Sequence, residues 1–155
     1  MKRILSILIT IAALSAAASC QKEEVMDTVA SSLVGEWHLT ETETDGIVID
    51  PLTDVYLTIN ADCTFLIYQK SGDQTRYTVF TGTCKSVNNV FSGIYSDGSS
   101  FGCDYEFFVE GDTLTLSTAD GIEVQTWTKE SLDQEDKDNA DMKVKSSAID
   151  VIPFL

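Results

Sequence analysis

The feature that most restricts the fold is a series of short runs rich in β-branched and aromatic residues. Eight runs can be counted, at residues 35–44, 55–59, 64–70, 75–86, 90–96, 101–110, 113–118 and 123–129. Gly, Asn and Asp stand between them, and these residues accept the backbone angles that tight turns need. Nearly every link is too short for a crossover helix, so consecutive strands are predicted to pair antiparallel.

The predicted fold class is therefore all-β, as an eight-stranded antiparallel up-and-down meander. Eight strands can close into a small barrel, which removes exposed strand edges. A β-sandwich is the alternative, but it needs long connections, and only residues 45–54 form a longer loop. The apolar centre of that loop is a candidate cover for the mouth of the barrel.

The amino terminus has the three-part pattern of a secretory leader. Lys2 and Arg3 supply the positive start, residues 4–14 form the apolar run, and small residues lead to Cys20. A membrane-spanning helix needs about 20 apolar residues, whereas polarity returns here at Cys20. Residues 1–19 are therefore predicted to be a signal peptide.

Cys20 follows Ala17, Ala18 and Ser19, and this leader resembles that of a bacterial lipoprotein precursor. The resemblance implies cleavage before Cys20 and attachment there of long acyl chains such as palmitate, of which two or three anchor a protein firmly. Residues 21–24, QKEE, are similar to the acidic export signal of Bacteroidetes lipoproteins, which implies display on the outer face of the outer membrane. The periplasmic face, and a soluble secreted protein with a free Cys20, are the alternatives.

The charge of the mature chain excludes some partners. Loss of Lys2 and Arg3 with the leader reduces Lys plus Arg from 10 to 8 against 25 acidic residues, so the formal net charge becomes −17. Nucleic acid and anionic lipid surfaces both require a basic face. Neither is predicted as a partner, and the anchor at Cys20 is the predicted contact with the membrane.

Four phrases from Leu33 onward carry a second resemblance. They are LVGEW at 33–37, INADCTF at 59–65, FTGTC at 80–84 and VEGDTLTL at 109–116. In this order they are similar to the lipocalin-like domains of Bacteroidetes lipoproteins, with Cys63 in place of a usual glycine. The resemblance implies a lipocalin-like barrel over residues 33–129, preceded by a lipid-anchored tether at 20–32.

Lipocalins pack the Trp of the opening phrase across the closed end of the barrel, beneath a cation from the last strand. The resemblance assigns these barrel-closing roles to Trp37 and Lys129. A cation over an indole ring contributes about 0.5–2 kcal/mol. This assignment concerns stability and leaves the ligand open.

Alternation with period two predicts which side chains face inward. The residues predicted to line the barrel are Leu39, Phe65, Ile67, Tyr77, Val79, Tyr105, Phe107, Leu114 and Leu116. Such a lining suits a small apolar ligand, and it equally suits a small solid barrel filled by its own side chains. The residue pattern leaves both open.

Three cysteines, Cys63, Cys84 and Cys103, remain for an oxidising compartment. Meander pairing separates Cys84 from Cys103 by about 10 Å, beyond the roughly 7 Å limit of a disulfide, and Cys63 with Cys84 requires a shifted register. No pairing is predicted. The spacings lack C-x-x-C, and no histidine accompanies them, so no metal site is predicted either.

Catalysis has little support. His38 is the only histidine, and it is predicted to face outward because its neighbour Trp37 faces inward. A nucleophile and its base must converge, and the carboxylates stand mostly in turns and at outward positions. The chain is therefore predicted not to be an enzyme, with no cofactor.

Residues 130–155 form an acidic C-terminal tail with an apolar end, AIDVIPFL. The acidic run at 133–138 lacks the glycine and the glutamate of a calcium-binding loop, so a solvated helix or a disordered run is predicted. The apolar end is predicted to dock on the barrel rim, to add a strand, or to meet a partner protein.

Two functions follow from these expectations. The first is an outer-membrane lipoprotein whose barrel binds a small apolar ligand. The second is a surface scaffold lipoprotein with a solid barrel that binds another envelope protein. An open interior cavity would favour the first, and a filled barrel with an exposed apolar patch would favour the second.

Overall fold

The computed structural model describes residues 28–142 and 153–155, so Cys20 and the signal peptide lie outside the described residues. The strands are β1 (Gly35–Thr44), β2 (Ile47–Ile49), β3 (Thr53–Ile59), β4 (Thr64–Ser71), β5 (Thr78–Val87), β6 (Val90–Tyr95), β7 (Tyr105–Glu110), β8 (Thr113–Thr118), β9 (Glu123–Lys129) and β10 (Asp141–Met142). One short helix, α1 (Gln134–Asp138), lies between β9 and β10. No helix in the two described ranges is long and apolar enough to cross a bilayer.

Eight strands close into an antiparallel barrel. Their order around the ring is β1, β3, β4, β5, β6, β7, β8, β9, with β9 pairing back onto β1 and β5 pairing with β6. Each ring strand pairs with the next ring strand along the chain, as an up-and-down meander requires. The predicted fold class is confirmed, and the β-sandwich alternative is wrong.

The loop at 45–54 does not cover the barrel mouth. Asp45 and Gly46 both have positive φ, 52° and 77°, and form a tight turn that pairs β2 with the end of β1. The Asp-Gly dipeptide is a strong hairpin signal. Because the hairpin continues the sheet, the side chains of Ile47, Val48 and Ile49 remain exposed.

Two predicted strands begin later than expected, at Thr78 and Tyr105. The second shift has a visible cause. A Cβ on Gly93 would lie only 2.3 Å from the ring of Phe101, so that ring packs directly against the β6 backbone. The chain at 101–104 leaves the sheet to place this ring in the core.

Strand register separates the inner face from the outer face. Leu57 pairs with Ile67 and Ile67 with Phe80, and all three belong to the core. Tyr68 pairs with Val79, one position along, and therefore faces outward with it. The interior position predicted for Tyr77 and Val79 is wrong. Val79 and Phe80 are adjacent and both apolar, so alternation along the strand does not show which of the two faces inward.

Residues 130–142, which we call the strap, cover this part of the outer face. Lys137 Nζ lies 2.8 and 2.9 Å from the carboxylate oxygens of Glu36 on β1, and Asp141 N–H donates to the Tyr77 carbonyl at 2.8 Å. β10 pairs in parallel with the start of β5, beyond the end of β6. The strap explains why Tyr77 is only 3% exposed although it lies outside the barrel.

Candidate functional site

One end of the barrel is closed by an indole and a lysine. Trp37 is completely buried, and its Nε1–H donates to the Leu33 carbonyl at 2.8 Å. Lys129 pairs with Trp37 in register and places Nζ 5.6 Å from the centroid of the indole ring. Gly35 has φ 151° and packs beside the lysine. The contact between Trp37 and Lys129 that the resemblance implies is therefore present, and it closes the end at which β1 begins.

The interior is filled with side chains. Of the predicted lining, the residues in the core are Leu39, Phe65, Ile67, Tyr105, Leu114 and Leu116, and Phe107 packs against them half-buried. A ring cluster that the pattern of the runs did not reveal fills the centre. Its ring centroids are 5.1 Å apart for Phe65 and Phe101, 5.4 Å for Tyr95 and Phe101, and 5.6 Å for Phe91 and Phe101. The sequence signal that could have revealed the cluster is the pair Phe91 and Tyr95, which lie four positions apart on β6 and so share a face.

The last residues of the chain also enter the interior. Leu155 is 4% exposed, and its carbonyl oxygen accepts a hydrogen bond from the Tyr95 hydroxyl at 2.7 Å. The ring of Phe154 meets the indole of Trp127 edge-on, at 6.0 Å between centroids. Burial raises the pKa of Tyr95 well above its usual value. The barrel is thus packed partly by residues more than 20 positions beyond its last strand.

A polar network lies on the outer face beneath the strap. His38 bonds to Asp54 through Nε2 at 3.0 Å and to Glu130 through Nδ1 at 3.1 Å, and its ring stacks on Tyr56 at 4.2 Å. The Tyr77 hydroxyl donates to the second oxygen of Asp54. Burial, and then the charge of Asp54, raise the pKa of Tyr56 to about 12. These groups bond to one another and form one continuous polar network on the outer face of the barrel.

The rim opposite the closed end carries an exposed apolar ribbon, formed by residues 42–52 and called the rim ribbon below. Its exposed large side chains are Ile47 (65%), Val48 (55%), Ile49 (48%) and Leu52 (89%). Within the described ranges β2 pairs only with β1, so its other edge is open. An open groove of about 240 Å³ adjoins the ribbon and is lined by Leu52, Asp54 and Lys70 among others.

Metal binding finds no support in the part of the chain that the structure describes. Residues 28–142 and 153–155 contain no group of three or more His, Cys, Asp or Glu side chains placed to hold an ion. The three described cysteines, Cys63, Cys84 and Cys103, carry no disulfide bond.

Comparison with known proteins gives a fold but no sequence family. No family model matches the chain, and no curated protein matches it either. A lipocalin-like protein from Bacteroides uniformis superposes with a TM-score of 0.53 at 16% identity, over 64% of this chain and 99% of that one. An uncharacterized protein from Bacteroides eggerthii gives 0.51 at 16% identity, over 63% and 99%.

The chain has the lipocalin-like fold. A lipoprotein YedD from Klebsiella pneumoniae also overlaps, with a TM-score of 0.46 at 16% identity over 74% of this chain and 86% of that one. In this lipocalin-like barrel the interior is occupied by its own side chains, while Leu52 and Ile47, the two most exposed large apolar side chains of the described residues, stand on the rim ribbon.

Replacement of Leu155 by Ala should destabilise the protein although the residue lies far from the strands in sequence. Removal of a buried leucine side chain typically costs about 2–5 kcal/mol of the free energy of unfolding. The control is Leu52→Ala, at a side chain that is 89% exposed, where a change within about 0.5 kcal/mol is expected. Urea unfolding of both variants measures the difference, and equal effects would contradict the packing of Leu155 inside the barrel.

Proposed function

We propose that the protein is a lipid-anchored outer-membrane lipoprotein, displayed on the cell surface, that binds another envelope protein through the rim ribbon. The observation that carries the proposal is the open edge of β2 with its exposed Ile47, Val48 and Ile49. Contiguous exposed apolar surface of this kind is typical of interaction sites. No catalytic step is part of the proposal.

The position of the rim ribbon supports this role. The Thr28 carbonyl accepts from Ser86 N–H at 2.7 Å, and Ala30 N–H donates to Ser86 Oγ at 2.7 Å, so residues 28–30 pack beside the closed end. Thr28 is eight positions after an anchor at Cys20, a reach of at most about 29 Å. The closed end is therefore held near the membrane, and the rim ribbon at the opposite end of β1 is directed away from it.

The chemistry of the rim ribbon specifies the partner. An open strand edge offers backbone donors and acceptors to an added strand. The surrounding segment 41–54 contains five acidic residues, Glu41, Glu43, Asp45, Asp50 and Asp54, and neither Lys nor Arg. The proposed partner accordingly presents an extended strand with apolar side chains flanked by basic ones.

The anchor is tested by Cys20→Ala, with Cys103→Ala as the matched control. The first variant should retain its leader, lack acyl chains by intact mass, and lose the lipid-mediated attachment of the mature protein to the outer membrane. The control should remain lipidated and sediment with that membrane. Protease treatment of intact cells should digest the wild-type protein. A fully outer-membrane-bound Cys20→Ala variant would reject the anchor, and protection from protease would place the protein on the periplasmic face.

The interaction is tested by the double variant Ile47→Asp, Ile49→Asp. The control is Phe108→Asp, which places the same charge at an exposed apolar side chain outside the rim ribbon. A photo-crosslinker at Val48 should give one discrete adduct with an envelope protein on intact cells. The double variant should lose that adduct and weaken binding of the purified partner at least about tenfold, which corresponds to 1.4 kcal/mol. The control should keep both.

Three results would oppose this role for the rim ribbon. One is an adduct that contains only a second copy of the chain, and another is an adduct that survives in the double variant. The third is binding that is insensitive to salt, because attraction between an acidic ribbon and a basic strand weakens as ionic strength rises.

A second candidate function is binding of a small apolar ligand in the barrel. It is favoured by the entry of Phe154 and Leu155, since the interior accepts apolar groups from outside the strands and Tyr95 offers a hydroxyl donor to them. Native mass spectrometry of the full-length protein, purified without denaturation, should then show a bound small molecule in addition to the covalent lipid. A spectrum without such a molecule would reject this candidate and leave the interaction role standing.

A further inference from the structure

Cys63, the last residue of the turn before β4, lies opposite Cys84 on the neighbouring strand β5. The paired register of β4 and β5 runs as far as Thr64 with Thr83, and the next position outward joins the two cysteines. Cys84 N–H donates to the Cys63 carbonyl at 2.8 Å, which continues the ladder. Hydrogen-bonded opposite residues have Cα atoms about 5.5 Å apart, and a disulfide spans about 4.4–6.8 Å between Cα atoms. The single cross-strand hydrogen bond from Cys84 to Cys63 therefore brings the two backbones close to the separation that a disulfide requires.

The conformation of Cys63 is unusual for its residue type. It has φ 67°, in the left-handed region that glycine adopts without strain. The turn is held firmly, because Cys63 N–H donates to the Asn60 carbonyl at 3.2 Å and Thr64 N–H donates to Asp62 Oδ1 at 3.0 Å. A turn of this geometry gains nothing from a cysteine. The side chain is therefore better explained by the residue it faces than by the turn.

The two thiols stand in different environments. Cys84 is 3% exposed, and burial, followed by the neighbouring Cys63 and Asp62, raises its pKa to about 12. Cys63 is only partly buried. An oxidant from solvent therefore reaches Cys63 first, while Cys84 is available only to a group already beside it.

Cys103 is separated from this pair. Cys84 pairs with Gly93 on β6, and the ring of Phe101 lies against Gly93 on the inner face of that strand. The Cys103 side chain lies instead beside the hydroxyl of Tyr105, whose pKa it helps to raise after the larger effect of burial. The described cysteines thus divide into one adjacent pair and one isolated thiol.

We propose that Cys63 and Cys84 form a disulfide bond that joins β4 to β5 near the closed end of the barrel, leaving Cys103 as a thiol. Its formation in the cell rests on the export that the proposed function includes, because disulfides persist in oxidising compartments. The bond itself depends only on the barrel.

The chemistry is thiol–disulfide exchange with an oxidant of the disulfide class. The Cys63 thiolate attacks one sulfur of the oxidant, forming a mixed disulfide and releasing the other sulfur as a thiol. The Cys84 sulfur then loses its proton and attacks the Cys63 sulfur, which releases the second thiol. The protein loses two protons and two electrons in all, which together are two hydrogen atoms, and one oxidant disulfide is reduced to two thiols.

The test begins with reduced full-length protein treated with glutathione disulfide. Intact mass should fall by two hydrogen atoms after excess oxidant is removed. Trypsin cleavage after Lys70, Arg76 and Lys85 separates the three cysteines into different peptides. The peptides of Cys63 and Cys84 should be joined, and of these three cysteines Cys103 alone should react with an alkylating agent under denaturing conditions. A bridge that includes Cys103, or three alkylated thiols, would overturn the proposal.

Cys63→Gly is the informative variant, because glycine suits the left-handed turn and folding should be preserved. Without the bridge, in reductant, its melting temperature should equal or exceed that of the wild type. After oxidation the wild type should melt higher than the variant, by roughly 5–15 °C for a loop of this length. Cys103→Ser should leave that oxidant-dependent gain unchanged. An oxidised wild type that melts no higher than Cys63→Gly would contradict the bridge.

Trapping of thiols in intact cells separates this inference from the proposed export. Rapid alkylation of the envelope fraction should find the pair bridged. Purified protein that bridges in glutathione disulfide, together with reduced thiols in cells, would count against export to an oxidising compartment and would leave the bond itself established. Failure of the purified protein to bridge would count against the bond alone.

Discussion

The pairing of β9 back onto β1 is the interaction on which the rest of the structure depends. β1 pairs with β9 along almost its whole length, while its first half also pairs with β3 and its last three residues with β2. Closure removes the open edges that a meander of these eight strands would otherwise present. It also encloses the inner face of each strand of the ring. An enclosed volume of this size must be filled with side chains or with a ligand. A register shift between Leu39 and Glu41 interrupts the pairing with β9, between the part of β1 that pairs with β3 and the part that pairs with β2.

The filling of the interior in turn determines where function can reside. Gly82 and Gly93 lack side chains where aromatic rings approach the backbone: a Cβ on Gly82 would lie 2.7 Å from the Phe65 ring and 2.1 Å from the Ile94 carbonyl oxygen. Rings packed against bare backbone leave little room for a mobile pocket. Because Phe154 and Leu155 complete the packing, the groups available to a partner are those of the rim and the outer face. The lipocalin-like fold is thus combined with an interior that side chains of the same chain occupy.

Much of the fold could be predicted from the sequence, because turn residues and β-rich runs are local signals. The first strand was predicted correctly from these signals, whereas the contact between Trp37 and Lys129 was implied only by the resemblance to lipocalins. The sides of Tyr77 and Val79 were not, since burial by the strap comes from residues about 60 positions away and leaves no local trace. For the rim ribbon, by contrast, a local signal was present in the sequence. Its Asp-Gly turn was a readable hairpin signal, but the expectation of a cover over the mouth obscured it.

The distribution of charge explains why an exposed apolar edge is tolerated on this protein. A short, open strand such as β2 would pair readily with its own copy if its surroundings were neutral. Here Glu43, Asp45 and Asp50 border the apolar residues, and a second copy would bring the same charges face to face. Like-charge juxtaposition opposes self-association, whereas a basic strand would satisfy the backbone edge and neutralise its border at once. In the function proposed above, the acidic border would therefore keep the ribbon available to another protein, and repulsion between the same charges and anionic lipid would favour a rim that points away from the membrane.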